Sequence, residues 1–128
     1  MDIHTHRQID QALCGHPEDL QPGYCKVSLT ASDRMAADDK GLVHGGFVFG
    51  LADYAAMLAV NDPNVVLGAA EVRFLKPVAV GDHIVAEARV ADVSGRKHLV
   101  EVVVARETET LLEGRLTCFV LDRHVLEE

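Results

Sequence analysis

The sequence contains no tryptophan, and its three cysteines, Cys14, Cys25 and Cys118, are widely spaced without a Cys-x-x-Cys pair. An odd number of isolated cysteines argues against a disulfide framework and against a zinc site, and indicates reduced thiols. Basic residues are also scarce, because 12 Lys and Arg stand against 20 Asp and Glu and give a net charge of −8. Such a chain neutralises phosphates poorly, so we expect neither nucleic acid nor a membrane surface as its partner.

Long apolar runs are absent as well. The most apolar stretch, residues 47–60, is interrupted by Asp53 and is shorter than the roughly 20 residues that a membrane-spanning helix needs. The first eleven residues are polar and do not resemble a signal peptide. Hydrophobic residues make up 48% of the 128, which is enough for one core, and no repeat or linker divides them. We therefore expect a single domain over residues 1–128 in the cytoplasm.

The first half of the chain predicts one strand and one buried helix. Residues 4–13 predict a short amphipathic helix that ends at Gly15, and the alternation of residues 24–30 predicts a strand. Residues 45–61 are apolar on every side, which is typical of a helix buried all round. The Asp-Pro-Asn sequence at 62–64 ends this helix.

In the second half of the chain the hydrophobic period changes to two. This period predicts four strands connected as a meander, with turns at 94–95 and 108–110. One strand, a buried helix and then consecutive strands indicate an α+β protein in which an antiparallel sheet wraps around one long central helix, and they exclude alternating βαβ units. The first strand is expected from residue 65 onward in a segment that Pro77 ends, and the other three near residues 83–90, 99–105 and 112–121.

Asp53 is the residue that most needs an explanation, since it is the only ionisable side chain in the middle of the predicted buried helix. An unpaired buried carboxylate costs several kcal/mol, roughly. One interpretation is structural, with the carboxylate bound to a turn or to another subunit. The other is a catalytic carboxylate in an apolar pocket, where it can serve as general base or as nucleophile.

Gly45 and Gly46 open the same helix directly after His44. The first N–H groups of a helix have no acceptor within it, so these amides can hold a carbonyl oxygen that becomes an oxyanion. Glycines that merely allow close packing are the alternative. Gly45 and Asp53 are separated by about 12 Å along a helix, at roughly 1.5 Å per residue. If both act on one bond, the helix of a second subunit must run antiparallel and supply its Asp53, which predicts a two-fold dimer.

The ten residues 44–53, His-Gly-Gly-Phe-Val-Phe-Gly-Leu-Ala-Asp, resemble the helix signature of the hotdog-fold acyl-CoA thioesterases, in particular the phenylacetyl-CoA thioesterase branch. Residues 72–77 with 81–82 resemble the strand and turn that follow, and Gly95-Arg96 resembles a later turn. The resemblance covers roughly residues 20–121. It implies a hotdog fold, a dimer commonly paired into a tetramer, and hydrolysis of acyl-CoA thioesters.

The resemblance also implies roles for individual residues. Asp53 becomes the base or nucleophile, the Gly45 amide polarises the carbonyl, and His44 shapes the start of the helix. Many relatives have Asn where this chain has Asp38, which places Asp38, with Gly46, near the substrate. Arg96 and Lys97 are candidates for contacts with the phosphates of CoA, although an ordinary solvated turn explains them as well.

Two functions therefore remain open at this stage. The first is an acyl thioester hydrolase that needs neither a metal ion nor a redox cofactor, because CoA is part of the substrate. The second is a non-catalytic protein of the same fold that binds or senses acyl-CoA.

Overall fold

The computed structural model describes residues 1–127, which form one antiparallel sheet packed against a long helix. This α+β architecture confirms the predicted hotdog fold. A single turn of 3-10 helix, Asp33–Met35, precedes the long helix. The elements in chain order are α1 (Gln11–Cys14), β1 (His16–Gln21), β2 (Tyr24–Thr30), α2 (Gly45–Val60), β3 (Val65–Phe74), β4 (His83–Ser94), β5 (Lys97–Arg106) and β6 (Glu109–Val120).

Hydrophobic periodicity explains how the sheet covers α2. Along β4, Ile84, Ala86 and Ala88 are buried, whereas Glu87 and Arg89 between and beyond them are exposed. A period of two places alternate side chains on opposite faces, so one face of the strand supports the helix and the other meets solvent. The predicted strand at residues 24–30 and the start of the predicted helix at Gly45 agree with the structure, and α2 ends one residue before the predicted end.

The predicted meander of four strands is wrong for the first of them, β3, which does not pair with β4. The sheet order is β1-β2-β4-β5-β6-β3, so β4, β5 and β6 form a meander while β3 pairs with β6 at the edge. Residues 75–82 carry the chain from that edge back to β4. Alternation of side chains specifies which face of a strand is buried, but it does not specify which strand lies beside it.

The N-terminal prediction also needs correction, because helix α1 covers only Gln11–Cys14 instead of residues 4–13. His6 has a left-handed φ of 53°, which interrupts a helix at that point. The preceding residues instead contact the end of α2, where Asn61 accepts from the His4 N–H at 2.8 Å and donates to the Asp2 carbonyl at 2.9 Å. Tertiary contacts with α2 therefore override the local helical pattern.

Strand β1 was not predicted, because its sequence contains Pro17 and lacks regular alternation. It lies at the edge of the sheet beside β2, with an irregularity in register between Pro17 and Asp19. A proline is tolerated at such an edge because its missing N–H leaves no central ladder bond unmade. Within residues 1–127, no helix combines the length and apolar character needed to cross a membrane.

Candidate functional site

Helix α2 begins with unoccupied hydrogen-bond donors. His44 is its N-cap, is held by a 2.9 Å bond from its own N–H to the Met35 carbonyl, and provides no side-chain cap. Within residues 1–127, the N–H groups of Gly45 and Gly46 have no hydrogen-bond acceptor. Two free donors at the positive end of a 16-residue helix can bind an oxygen that gains negative charge.

The surroundings of these donors are mostly apolar. The ring of Phe74 lies 3.4 Å from the place where a Cβ of Gly45 would stand, and the ring of His44 lies edge-on to Phe47 with 6.2 Å between centroids. A cavity of about 320 Å³ opens beside Gly45. An apolar cavity next to amide donors can hold the hydrocarbon part of a ligand whose oxygen binds the amides. Its lining includes Val43, Val48, Phe74, Lys76, Pro77 and Val78.

Asp53 lies two turns further along α2 and is half-buried. Its Oδ1 atom is fully buried and has no hydrogen-bond partner within the part of the chain that the structure describes. Burial raises the pKa of this carboxyl group from 3.8 to about 6, because desolvation disfavours the charged form. A carboxylate with a pKa near 6 is ionised at pH 7 and is still a useful base.

Asp53 lies at the centre of an open face of α2, which consists of five residues that are not fully buried in residues 1–127. At about 100° per residue, the five positions of this open face fall within an arc of roughly 100°. Met57 falls within the same arc but is buried. The opposite side is packed against the sheet, with Leu51, Ala55 and Leu58 completely buried. The residues of the open face are Gly46, Phe49, Gly50, Asp53 and Val60.

Burial and the charge of Asp53 raise the pKa of two cysteine thiols. Burial raises the pKa of the Cys14 thiol, and the charges of Asp10 and Asp53 raise it further. Burial and the charge of Asp53 together raise the pKa of the Cys118 thiol to about 12. Both thiols therefore stay protonated at neutral pH and are poor nucleophiles. The predicted reduced state of all three cysteines agrees with their free thiols in the structure.

One chain does not contain the whole predicted site. His44, Gly45 and Gly46 lie together at the start of α2, but Asp53 is about 12 Å further along the axis. Since α2 is a continuous helix from Gly45 to Val60, no bend shortens this distance. A single carbonyl group cannot contact both Gly45 and Asp53 of the same chain.

The side chain of Asp38 accepts hydrogen bonds from the backbone of its own loop. Its Oδ1 accepts from the Lys40 N–H at 3.0 Å and from the Leu42 N–H at 3.1 Å, as expected for a carboxylate that organises a turn. The side chain is exposed. Its predicted contact with substrate stays a prediction.

Arg96 and Lys97 lie at the opposite end of the sheet from Gly45 of the same chain. Lys97 pairs with Phe119, which pairs with Val66 near the start of β3, whereas the ring that covers Gly45 belongs to Phe74 at the end of β3. Arg96 is 60% exposed and pairs with Asp122. Within one chain these two cations are thus remote from the start of α2, and their predicted phosphate contacts stay predictions.

Phe74 is the neighbour of the site to which the sequence assigned no role. It belongs to a segment that resembles the family, but nothing in its pattern indicates contact with the start of α2. The contact arises because β3 ends beside that point. Tyr54 and Met57, by contrast, are buried core residues.

Comparisons with known proteins place this geometry in a family. The model of the family described as "Thioesterase superfamily" matches residues 40–113, which is more than half of the chain. The chain is 52% identical over 123 residues to a protein of Aquifex aeolicus named methylthioribose-1-phosphate isomerase, and 26% identical over 117 residues to the transcription factor FapR of Caldanaerobacter subterraneus. These matches cover 95% and 91% of this chain but only 27% and 58% of the two longer proteins.

Solved structures agree with the family model. An uncharacterized protein from Pyrococcus horikoshii is 55% identical, with a TM-score of 0.98 and coverage of 99% of this chain and 98% of that one. The PaaI protein of the phenylacetic acid degradation operon of E. coli is 25% identical, with a TM-score of 0.78 and 85% coverage of each chain. The fold, the signature on α2 and these matches together show that the chain belongs to the hotdog-fold thioesterase superfamily, in its PaaI-like branch.

Proposed function

We propose that the protein hydrolyses acyl-CoA or related acyl thioesters at a site shared by two subunits. The observation that carries this proposal is the buried Oδ1 of Asp53, which has no partner among residues 1–127. Leaving a buried carboxylate unpaired is costly, and ionisable groups with strongly perturbed pKa values cluster at functional sites. Membership of the thioesterase superfamily gives the class of reaction.

The proposed reaction begins with the thioester carbonyl oxygen on the free N–H of Gly45. Acting as base, Asp53 takes a proton from water, and the resulting hydroxide attacks the carbonyl carbon. The tetrahedral intermediate carries its negative charge on the oxygen held by the amide. Its collapse breaks the carbon–sulfur bond, and the departing thiolate takes up the proton, which yields a carboxylic acid and CoA.

A covalent route uses the same residues. In that route Asp53 attacks the carbonyl carbon and expels the thiolate, and water then hydrolyses the mixed anhydride. Both routes consume one water molecule and use the Asp53 carboxylate and the Gly45 N–H of the protein. Hydrolysis in ¹⁸O-labelled water under single-turnover conditions separates the direct route from a covalent route in which water attacks the Asp53 carbonyl of the anhydride, because only that attack leaves an unlabelled oxygen of Asp53 in the product.

Two features support the assignment of the second subunit. Gly45 and Asp53 cannot reach one carbonyl within a chain, so an antiparallel α2 from another copy must bring its Asp53 to Gly45. In addition, β3 is a ten-residue edge strand with only Val65 buried. A long edge with unpaired N–H and C=O groups is a template for pairing with another chain. The proposal therefore includes a dimer, and the association of two such dimers would give a tetramer.

The central test replaces Asp53 with Asn and assays a panel of short, long and aromatic acyl-CoA esters with a thiol-reactive dye. We expect a loss of about a hundredfold or more in kcat, the scale of general acid–base groups, while the oligomer stays folded. Asp92→Asn is the matched control, since it removes one exposed carboxylate from β4. A variant that loses assembly while its folded fraction keeps full specific activity would make Asp53 structural.

A binding protein without turnover is the second candidate. The similarity to a transcription factor over 91% of this chain favours it, since that protein is named for regulation instead of hydrolysis. Calorimetric titration with a non-hydrolysable acyl-CoA thioether, run beside steady-state hydrolysis of the matching thioester, separates the two functions. Tight binding without release of CoA across the whole panel would establish the binder and refute the hydrolase.

A further inference from the structure

Arg106 binds the end of β5 to residues 75–82, the connection that runs from β3 to β4. Its Nη1 atom donates to the Pro77 carbonyl at 3.2 Å and to the Asp82 carboxylate at 2.7 Å. Its Nη2 atom binds Glu109 at the start of β6. The side chains of Arg106 and Asp82 are only 28% and 25% exposed, so their ion pair is partly shielded from water. One guanidinium group therefore fixes the connection to the sheet at two points.

The Asp82 carboxylate also binds the backbone of the connection itself. The oxygen that accepts from Arg106, Oδ2, accepts from the Ala79 N–H as well, at 2.9 Å. This backbone hydrogen bond and the nearby guanidinium hold the pKa of Asp82 below its ordinary 3.8, so the carboxylate is ionised at neutral pH. Gly81-Asp82 belongs to the sequence that resembles the family, but the proposed reaction gives this pair of residues no role.

Residues 75–82 form one wall of the cavity beside Gly45. Pro77 and Val78 line that cavity. The Val78 carbonyl accepts from the N–H of Val43 at 2.8 Å, and Val43 lines the same cavity directly before the N-cap of α2. The wall is thus attached on one side to the start of α2 and on the other to the guanidinium group. A change in either attachment alters the space beside the Gly45 amide.

We propose that the ion pair of Arg106 with Asp82 fixes the width of the cavity beside Gly45 and thereby restricts the acyl groups that the site accepts. The inference rests on the proposed function, because that function places the thioester carbonyl on the Gly45 N–H, next to the cavity. Without the guanidinium, the Pro77 carbonyl and the Asp82 carboxylate lose their shared donor, and the wall can move outward. Arg106 contacts neither the substrate nor the reacting atoms, so it is a positioning residue that determines specificity.

Selectivity among the acyl-CoA esters of the panel tests the proposal. Arg106→Gln removes the guanidinium, and Asp82→Asn removes the negative charge but keeps an oxygen for the Ala79 N–H. For each variant we expect KM for the best acyl-CoA to rise at least about fivefold, the scale of a partly exposed ion pair. The kcat should stay within about twofold of wild type, because Asp53 and Gly45 are unchanged. The ratio of kcat/KM between the best and the poorest acyl group should fall by the same factor as KM rises.

Glu109→Gln is the matched control, because it removes the partner of Nη2 and leaves both contacts of Nη1 with the connection. We expect it to keep the wild-type KM and selectivity. Hydrogen exchange of the Val43 and Ala79 amides, followed by NMR, monitors the wall without reference to catalysis. Exchange at these amides should be faster in Arg106→Gln and unchanged in Glu109→Gln, since only the first variant releases the wall.

The outcomes distinguish this inference from the proposed function. A KM that changes by one common factor for every acyl group, or a lower kcat with unchanged selectivity, would show that Arg106 serves only stability and would refute the inference. Unchanged exchange at Val43 and Ala79 in Arg106→Gln would refute it as well. If the wild type hydrolyses none of the panel, the proposed function is refuted. Dissociation constants of the matching non-hydrolysable thioethers, measured by calorimetry, then decide the inference: a reduced selectivity in Arg106→Gln supports it, and an unchanged selectivity overturns it.

Discussion

Helix α2 presents two faces that are similar in composition and different in surroundings. One face packs on the sheet through Leu51, Ala55 and Leu58, which are completely buried. The other face carries Phe49 and Val60, which are only partly buried, and Gly50, which has open space before it. The apolar composition of the first face is explained by the core of the chain, whereas that of the second is not.

The difference between the faces shows how stability and chemistry are divided along one helix. The packed face holds the fold together because it removes apolar surface from water. The open face carries Asp53, whose pKa of about 6 reflects desolvation that disfavours its charged form. Substitutions on the two faces should therefore differ in their effect on the free energy of unfolding. Two experiments on α2 measure that difference, and a third measures a site away from both faces.

The largest effect on stability is expected on the packed face. Leu51→Ala should lower the free energy of unfolding by about 2–5 kcal/mol, because it leaves a cavity in the core. Val60→Ala on the open face should cost about 1 kcal/mol, since its side chain is only partly removed from water. Chemical denaturation of both variants makes the comparison. Equal costs would mean that the two faces do not differ in the way proposed.

A smaller effect, of opposite sign, is expected for Asp53→Asn. The folded-state pKa of Asp53, about 6, lies above the 3.8 of the unfolded chain, so its contribution is favourable below pH 4 and is lost as the pH rises through 6. Between pH 4 and pH 7.5 the variant should gain about 1–3 kcal/mol in unfolding free energy relative to wild type, since one pKa unit corresponds to about 1.4 kcal/mol. Denaturation across this range, with Asp92→Asn measured beside it, checks the change. A difference that does not vary with pH would contradict the burial of the charge.

The smallest effect is expected away from both faces of α2, at Arg96. Its ion pair with Asp122 joins side chains that are 60% and 80% exposed, and such pairs contribute less than about 1 kcal/mol. Arg96→Ala should leave the melting temperature nearly unchanged. If Arg96 also contacts the phosphates of CoA, KM for acyl-CoA rises while that for the matching acyl-pantetheine does not. An equal KM change for both substrates would remove Arg96 from the phosphate site.

Much of this fold could be predicted from the sequence, and the exceptions have physical reasons. Local signals located β2 and α2, because alternation and all-round apolarity are properties of consecutive residues. The pairing of β3 with β6 was missed because it joins distant segments. The helix predicted over residues 4–13 is mostly absent because Asp2 and His4 bind Asn61 instead, which outweighs a weak local preference.

The sequence by itself determined the chemistry that is available: a carboxylate within an apolar helix, glycine amides at its start, and the family signature that joins them. Only the tertiary structure decided that Asp53 is half-buried with its Oδ1 unpaired within residues 1–127, that Phe74 covers Gly45, and that Arg96 lies at the far end of the sheet. The physical reason is that residue spacing fixes distances along one helix, whereas burial and neighbours depend on which segments pack together.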